Sequence, residues 1–175
     1  VPRSLLDLLA GPDRRRIGGS PLVVRRVLQD PRLLPALVRG LSVSDPLIRM
    51  RAADALEKLA HHRPDLLRRY RSRFLQVAQT SDHAEVQWHM AQLLPGLRLT
   101  KVQRDRARRV FRRYLRARSS IVQAMALDAL VRLASDTRAG QARTGRLLDA
   151  AMRSPRPAVR ARARRLRATR ARLPV

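Results

Sequence analysis

The feature that most constrains this chain is an internal repeat of about 37 residues. Ile48, Val86, Val122 and Val159 follow one another at spacings of 38, 36 and 37. Four positions after each stand Ala52, Met90, Ala126 and Ala163, and seven after stand Ala55, Leu93, Ala129 and Leu166. Leu56, Leu94 and Leu130 occupy plus eight, and Leu59, Leu97 and Leu133 plus eleven. These offsets return to one face of a helix with 3.6 residues per turn. Each such helix follows another amphipathic segment, so the unit is a helical hairpin that buries its apolar face by stacking on its neighbours.

The remaining text agrees with an all-α chain. Leu, Ala and Arg dominate, and aromatic residues make up 3%. Ser4, Ser20, Ser44 or Asp45, Thr100 and Ser154 stand where N-caps belong. Pro21, Pro31, Pro46 and Pro155 then take first-turn positions, where a missing amide hydrogen costs nothing. Thr100 with Gln103 and Asp82 with Glu85 have the spacing of capping boxes. Pro95 predicts an early stop near Leu94. In the last repeat, plus eight and plus eleven become Arg167 and Arg170, as expected of a closing unit with nothing stacked on its outer face.

The stretch DPLIRMRAADALEKL, Asp45 to Leu59, resembles the second helix of a HEAT repeat, with its proline, its aliphatic-Arg pair and its face of small residues. SDHAEVQWHMAQLL, RSSIVQAMALDALVRL and SPRPAVRARARRL are weaker copies. The resemblance covers about residues 31–170, and including DRRRIG at 13–18 the chain is also similar to short bacterial HEAT-like proteins. It implies an α-α superhelix of the HEAT/armadillo type, with about four hairpins over residues 31–175 and an unmatched N-terminal helical cap over 1–30. It implies nothing definite about activity.

Charge is the second constraint. Lys and Arg number 39 against 13 Asp and Glu, a formal net charge of +26, and self-repulsion on that scale favours an anionic partner. All but Lys58 and Lys101 of these bases are Arg. A GC-rich coding bias accounts for Arg over Lys, but not for the threefold excess of bases. Without cysteine there is no disulfide framework, thiol nucleophile or thiolate zinc site. No run reaches the roughly 18 apolar residues of a membrane span. The chain is read as soluble and cytoplasmic, and a native leader ahead of Val1 stays open.

Two surfaces are candidates for binding. Residues 101–118 carry nine bases and one acid. Ala107, Val110, Phe111, Tyr114 and Leu115 form the inward stripe. Arg104, Arg108 and Arg112 then make one outward row, with Arg109, Arg113 and Arg116 beside it. Like charges four apart each cost about 0.2–0.5 kcal/mol in an isolated helix, and guanidinium suits phosphate through its planar pair of donors. Arg68, Arg69, Arg71 and Arg73 extend this charge to the preceding outer helix. From Pro155 onward eight Arg, among them Arg160, Arg162 and Arg165, stand with no acid.

The second surface is the groove face of the register helices. A helical wheel turns Met50, Arg51, Asp54 and Lys58 away from the core, then Trp88, His89 and Gln92, then Ala124, Met125, Asp128 and Arg132, and finally Ala161, Arg162 and Arg165. Trp88, the sole tryptophan, either stacks on a base or sugar or packs against the neighbouring repeat.

No catalytic set emerges. HEAT-like DNA glycosylases use a groove Trp followed one turn later by Asp; here Gln92 follows Trp88, while Asp54 and Asp128 lack a preceding Trp. His83, Glu85 and His89 do not have metalloprotease spacing, and His61 and His62 suit a helix C-terminus. Gly18 and Gly19 do not make a phosphate loop. The reading is therefore a non-enzymatic repeat protein, without cofactor or metal, that binds DNA or RNA through phosphates with low sequence specificity. The alternatives are a scaffold for an acidic protein and, behind it, a DNA glycosylase-like HEAT enzyme or contact with an anionic lipid surface.

Overall fold

A computed structural model describes residues 4–11 and 18–171, whose regular structure is all helical, with no strand among the described residues. Of the stretches singled out above, residues 13–17 and Arg172 lie outside the described residues. The chain divides into two compact units, Val1–Arg98 and Leu99–Val175.

In the first unit the helices are α1 (Ser20–Gln29), α2 (Leu34–Arg39), α3 (Pro46–His62), α4 (Pro64–Leu67), α5 (Arg71–Thr80) and α6 (Ala84–Leu93). The register helices α3 and α6 pack on each other, α5 packs on α6, and α1 packs on α3. In the second unit they are α7 (Lys101–Tyr114), α8 (Ser120–Arg132), α9 (Arg138–Met152) and α10 (Pro157–Ala171). Here α8 and α10 pack on each other, with α7 against α8 and α9 against α10.

The repeat register is the core. Val86, Val122, Val159 and all four plus-four residues are buried, as are the plus-eight and plus-eleven leucines. Burying a Leu side chain stabilises by about 1.5–3 kcal/mol, so the register accounts for a large share of each unit's cohesion. Ile48 and Leu166, at the start and the end of the series, are only half-buried. In the second unit Leu127, Leu148, Val159 and Ala163 form the buried cluster. The closing unit's charges lean back onto α9: Arg167 Nη1 donates to Asp149 and Arg170 Nη2 to Gln141.

The position after each register residue carries a second, polar repeat. Arg49 Nη1 donates to the Val43 carbonyl at 2.7 Å, and Gln87 Nε2 to the Ser81 carbonyl at 2.8 Å. Gln123 Nε2 donates to the Ala117 carbonyl at 2.7 Å, and Arg160 Nη1 to the Ser154 carbonyl at 2.7 Å. Every acceptor lies six residues earlier, in the loop that enters the helix. A loop carbonyl with no helical partner is thereby satisfied, and the entry angle of each register helix is held by its own side chain.

The local punctuation follows the sequence in part. Asp45 caps α3 through Leu47 and Ile48 N–H, Thr100 and Gln103 form a reciprocal capping box, and Ser4 and Asp7 bond each other's amides. At Pro95 helix α6 gives way to a single 3-10 turn. Three expectations fail. Ser20 is inside α1, not its cap, because its hydroxyl is drawn to Asp54. Asp82 and Glu85 form no box, since the N-cap of α6 is His83. Helix α10 begins at Pro157 rather than Pro155, and Ser154 Oγ accepts from Arg156 N–H instead.

If the tether is generic, its two chemistries should interchange. Gln123→Ala should lower the unfolding free energy by about 1 kcal/mol, although alanine is the better helix former. Gln123→Arg should stay within about 0.5 kcal/mol of the parent; chemical denaturation of the three proteins checks this.

Candidate functional site

The α7 stripe folds as its spacing demands. Ala107, Val110, Phe111 and Tyr114 are buried and Leu115 is half-buried, which turns the arginines outward. Arg104, Arg109, Arg112, Arg113 and Arg116 are exposed, and Arg108 is half-buried.

Within the second unit, Arg108 and Arg112 of α7 meet Arg143 of α9 around a cleft of about 400 Å³. Leu130, Ala134 and Leu147 form apolar walls, and Gly140 and Thr144 complete the lining. The start of α9 is close to the loop before it: a Cβ at Gly140 would come 2.4 Å from the Ser135 carbonyl oxygen. Thr137 caps that start by accepting from Gly140 N–H. Among the described residues the acid pairing with this rim is Asp105, 3.5 Å from Arg108 and 3.6 Å from Lys101. No carboxylate partner is found for Arg112 or Arg143 among the described residues. Three guanidinium groups thus stand against one half-buried carboxylate over a partly apolar lining, an arrangement whose planar donors suit an anion's oxygens.

Elsewhere much of the basicity is spent on the fold. Arg71 donates to the carbonyls of Arg68 and Arg98, Arg73 to Ser42 and Gln76, and Arg69 lies 5.0 Å from the Tyr70 ring centroid. The basic stretch at 68–73 therefore does not repeat the α7 arrangement. The C-terminal block is divided: Arg160 holds its loop carbonyl and Arg162 pairs with Asp128 at 3.2 Å, whereas Arg164 and Arg165 are exposed.

The groove face needs correction. Arg51 is 3% exposed, with Nη1 bonded to the Leu9 carbonyl at 2.7 Å. Gly18, at φ +59°, lies so close that a Cβ there would come 2.5 Å from the guanidinium carbon. Segments before α1 thus cover the side of α3 that a helical wheel leaves open. Ala124 and His89 are also buried, while Trp88 and Gln92 are half-buried and Arg132 is exposed. The Trp88 ring meets His89 edge-on, 5.5 Å between centroids.

His89 does not gather with His83 and Glu85. Packing of α6 on α3 brings it instead to Asp54 and Glu57, with one ligand-type atom of each within 4.8 Å of the others. That grouping needs contact between helices more than twenty residues apart, and no sequence spacing announces it.

No protein-family model matches the sequence, and no curated protein matches it. Among solved structures the chain is similar to two engineered proteins from a structural genomics consortium. One matches at TM-score 0.62 and 20% identity, over 95% of this chain and 78% of its own. The other matches at TM-score 0.58 and 20% identity, over 94% of this chain and 41% of its own. At that identity the likeness speaks for an all-helical fold alone.

Burial pushes the His89 imidazole from 6.5 down to about 4, against the partly offsetting pull of Asp54. The folded state therefore holds a neutral ring, while the unfolded chain takes up a proton below about 6.5. The corresponding stability is fully present above the unfolded value and is lost as pH falls toward 4. In chelator-treated buffer the protein should lose roughly 2–3 kcal/mol more between pH 7.5 and 4.5 than His89→Gln does; urea titrations at the two pH values measure this.

Proposed function

We propose that this chain is a HEAT-type solenoid that binds nucleic acid through its phosphates, without catalysis and with little sequence preference. The solenoid reading is supported by the tether and the buried register, which recur in both units at the same offsets. The observation that carries the binding reading is the cleft of Arg108, Arg112 and Arg143, continued by Arg104, Arg109, Arg113 and Arg116 along α7. These cations cost the free protein mutual repulsion, which phosphates would relieve. The C-terminal Arg164 and Arg165 add to the same field. Apolar walls do not disfavour a sugar-phosphate chain, and the shortage of exposed aromatic residues argues for backbone contacts over base stacking.

Neutralising about six phosphates on duplex DNA gives a slope near −5 for log affinity against log salt, or about a thousandfold loss between 50 and 200 mM. Arg108→Glu with Arg112→Glu should weaken binding at least tenfold and flatten the slope by roughly 2. Arg71→Ala with Arg73→Ala should alter it little, because those side chains serve the fold. Fluorescence anisotropy across a salt series reads all three. A slope near zero, or no binding at 50 mM salt, rejects the reading. A clean 260 to 280 nm absorbance ratio with a co-purifying acidic protein would favour the scaffold alternative.

A further inference from the structure

The first unit contains a polar cluster that phosphate binding does not use. Asp54, Glu57 and His61 are three and four residues apart on α3 and so share one face. Helix α6 sets His89 against that face, and α1 contributes Ser20.

Each carboxylate is held from outside on one oxygen. Ser20 Oγ and Lys58 Nζ both bond Asp54 Oδ2, the lysine at 2.5 Å. His61 Nε2 lies 2.7 Å from Glu57 Oε1. The other Glu57 oxygen, Oε2, faces His89 Nδ1 at 3.9 Å, beyond hydrogen-bonding reach. His89 is 8% exposed, and its Nδ1 is fully buried with no hydrogen-bond partner. An orphaned polar atom at such a depth ordinarily has a bonding role.

We propose that Asp54, Glu57 and His89 form a binding site for a divalent transition-metal cation of the zinc class. One imidazole nitrogen with two carboxylate oxygens is a common donor set for such ions, and the nitrogen disfavours magnesium and calcium. Tetrahedral zinc with bonds of about 2.0–2.2 Å separates its ligand atoms by roughly 3.4 Å. Closing the 3.9 Å between His89 and Glu57 takes about half an ångström, and the remaining pairs, all within 4.8 Å, close by at most about 1.4 Å, which side-chain rotation supplies. Ser20 and His61 would be the outer partners that orient the carboxylates.

Lys58 is the competitor. Its ammonium occupies one edge of the cluster and balances part of the carboxylate charge. Its side chain is 33% exposed, and its four-carbon stem lets the head swing into water when a cation enters. The site would then span α3 and α6 and fasten them together.

Isothermal titration of zinc into the metal-free full chain tests this, with cobalt absorption reporting coordination geometry. The expected result is one zinc per chain, cobalt bands of a tetrahedral site, and no response to magnesium. Glu57→Gln and His89→Gln should each weaken zinc at least tenfold while circular dichroism stays helical. Lys58→Met should tighten zinc severalfold, a change that a purely structural salt bridge does not predict. His62→Ala and His83→Ala, in surface positions, should leave the affinity unchanged. Absence of binding to the parent overturns the proposal, and so does zinc binding that survives Glu57→Gln and His89→Gln but is lost in the surface variants. The outcome is independent of nucleic-acid binding, because no residue is shared with the α7 cleft.

Discussion

The interaction on which both units depend is the bond from the residue after each register position to a loop carbonyl six residues back. A register helix must enter its layer at a fixed angle for its plus-four, plus-seven and plus-eight residues to meet the next helix. Packing of side-chain ridges into grooves favours a small set of crossing angles. A side-chain donor anchored in the helix and reaching to the preceding loop adds a directed contact at the entry, and it satisfies a loop carbonyl as well. Arg and Gln both make this bond because each presents an N–H at the end of a long stem. The Ile48–Arg49 pair at the start of α3 is one instance of this device.

That use of arginine changes how the basicity should be understood. A net charge of +26 suggests a uniformly cationic surface, yet many guanidinium groups serve as multi-donor clamps on backbone oxygens. Arg49, Arg71, Arg156 and Arg160 all bond loop or turn carbonyls, and Arg51 does so from within the core. The charge remains, but its geometry is committed. On α7, Arg104, Arg109, Arg112 and Arg116 are exposed, so positive charge accumulates on the outward face of that helix. The contrast between spent and available guanidinium, more than the total, directs attention to Arg108, Arg112 and Arg143.

Much of the fold was legible from residue spacing. Offsets of four, seven, eight and eleven mark one helical face regardless of tertiary context, and the residues at those offsets are buried in the repeats of α3, α6 and α8, while in α10 Ala163 is buried and Leu166 half-buried. The early stop at Pro95 and the Thr100 box were equally local, since a missing amide hydrogen and a reciprocal cap depend only on nearby residues. The candidate site was legible by halves. The α7 rows follow from helical geometry, but the meeting of Arg143 with Arg108 and Arg112 around one cleft depends on how α7 and α9 each pack on α8, and no periodicity in the chain signals it.

The helices, their repeat register, the outward arginine rows of α7 and the excess of positive charge are all readable in the order of the residues. Each of these follows from periodicity or composition. Tertiary structure alone decided which polar residues became interior. A helical wheel assigns one core side, yet α3 is packed by α6 on one flank and by α1 and the segment around Leu9 on another. Arg51 and His89 are buried for that reason, and Ser20 leaves its cap position for Asp54. The meeting of Asp54, Glu57 and His89 likewise depends on distances between helices, which a sequence pattern does not encode one residue at a time.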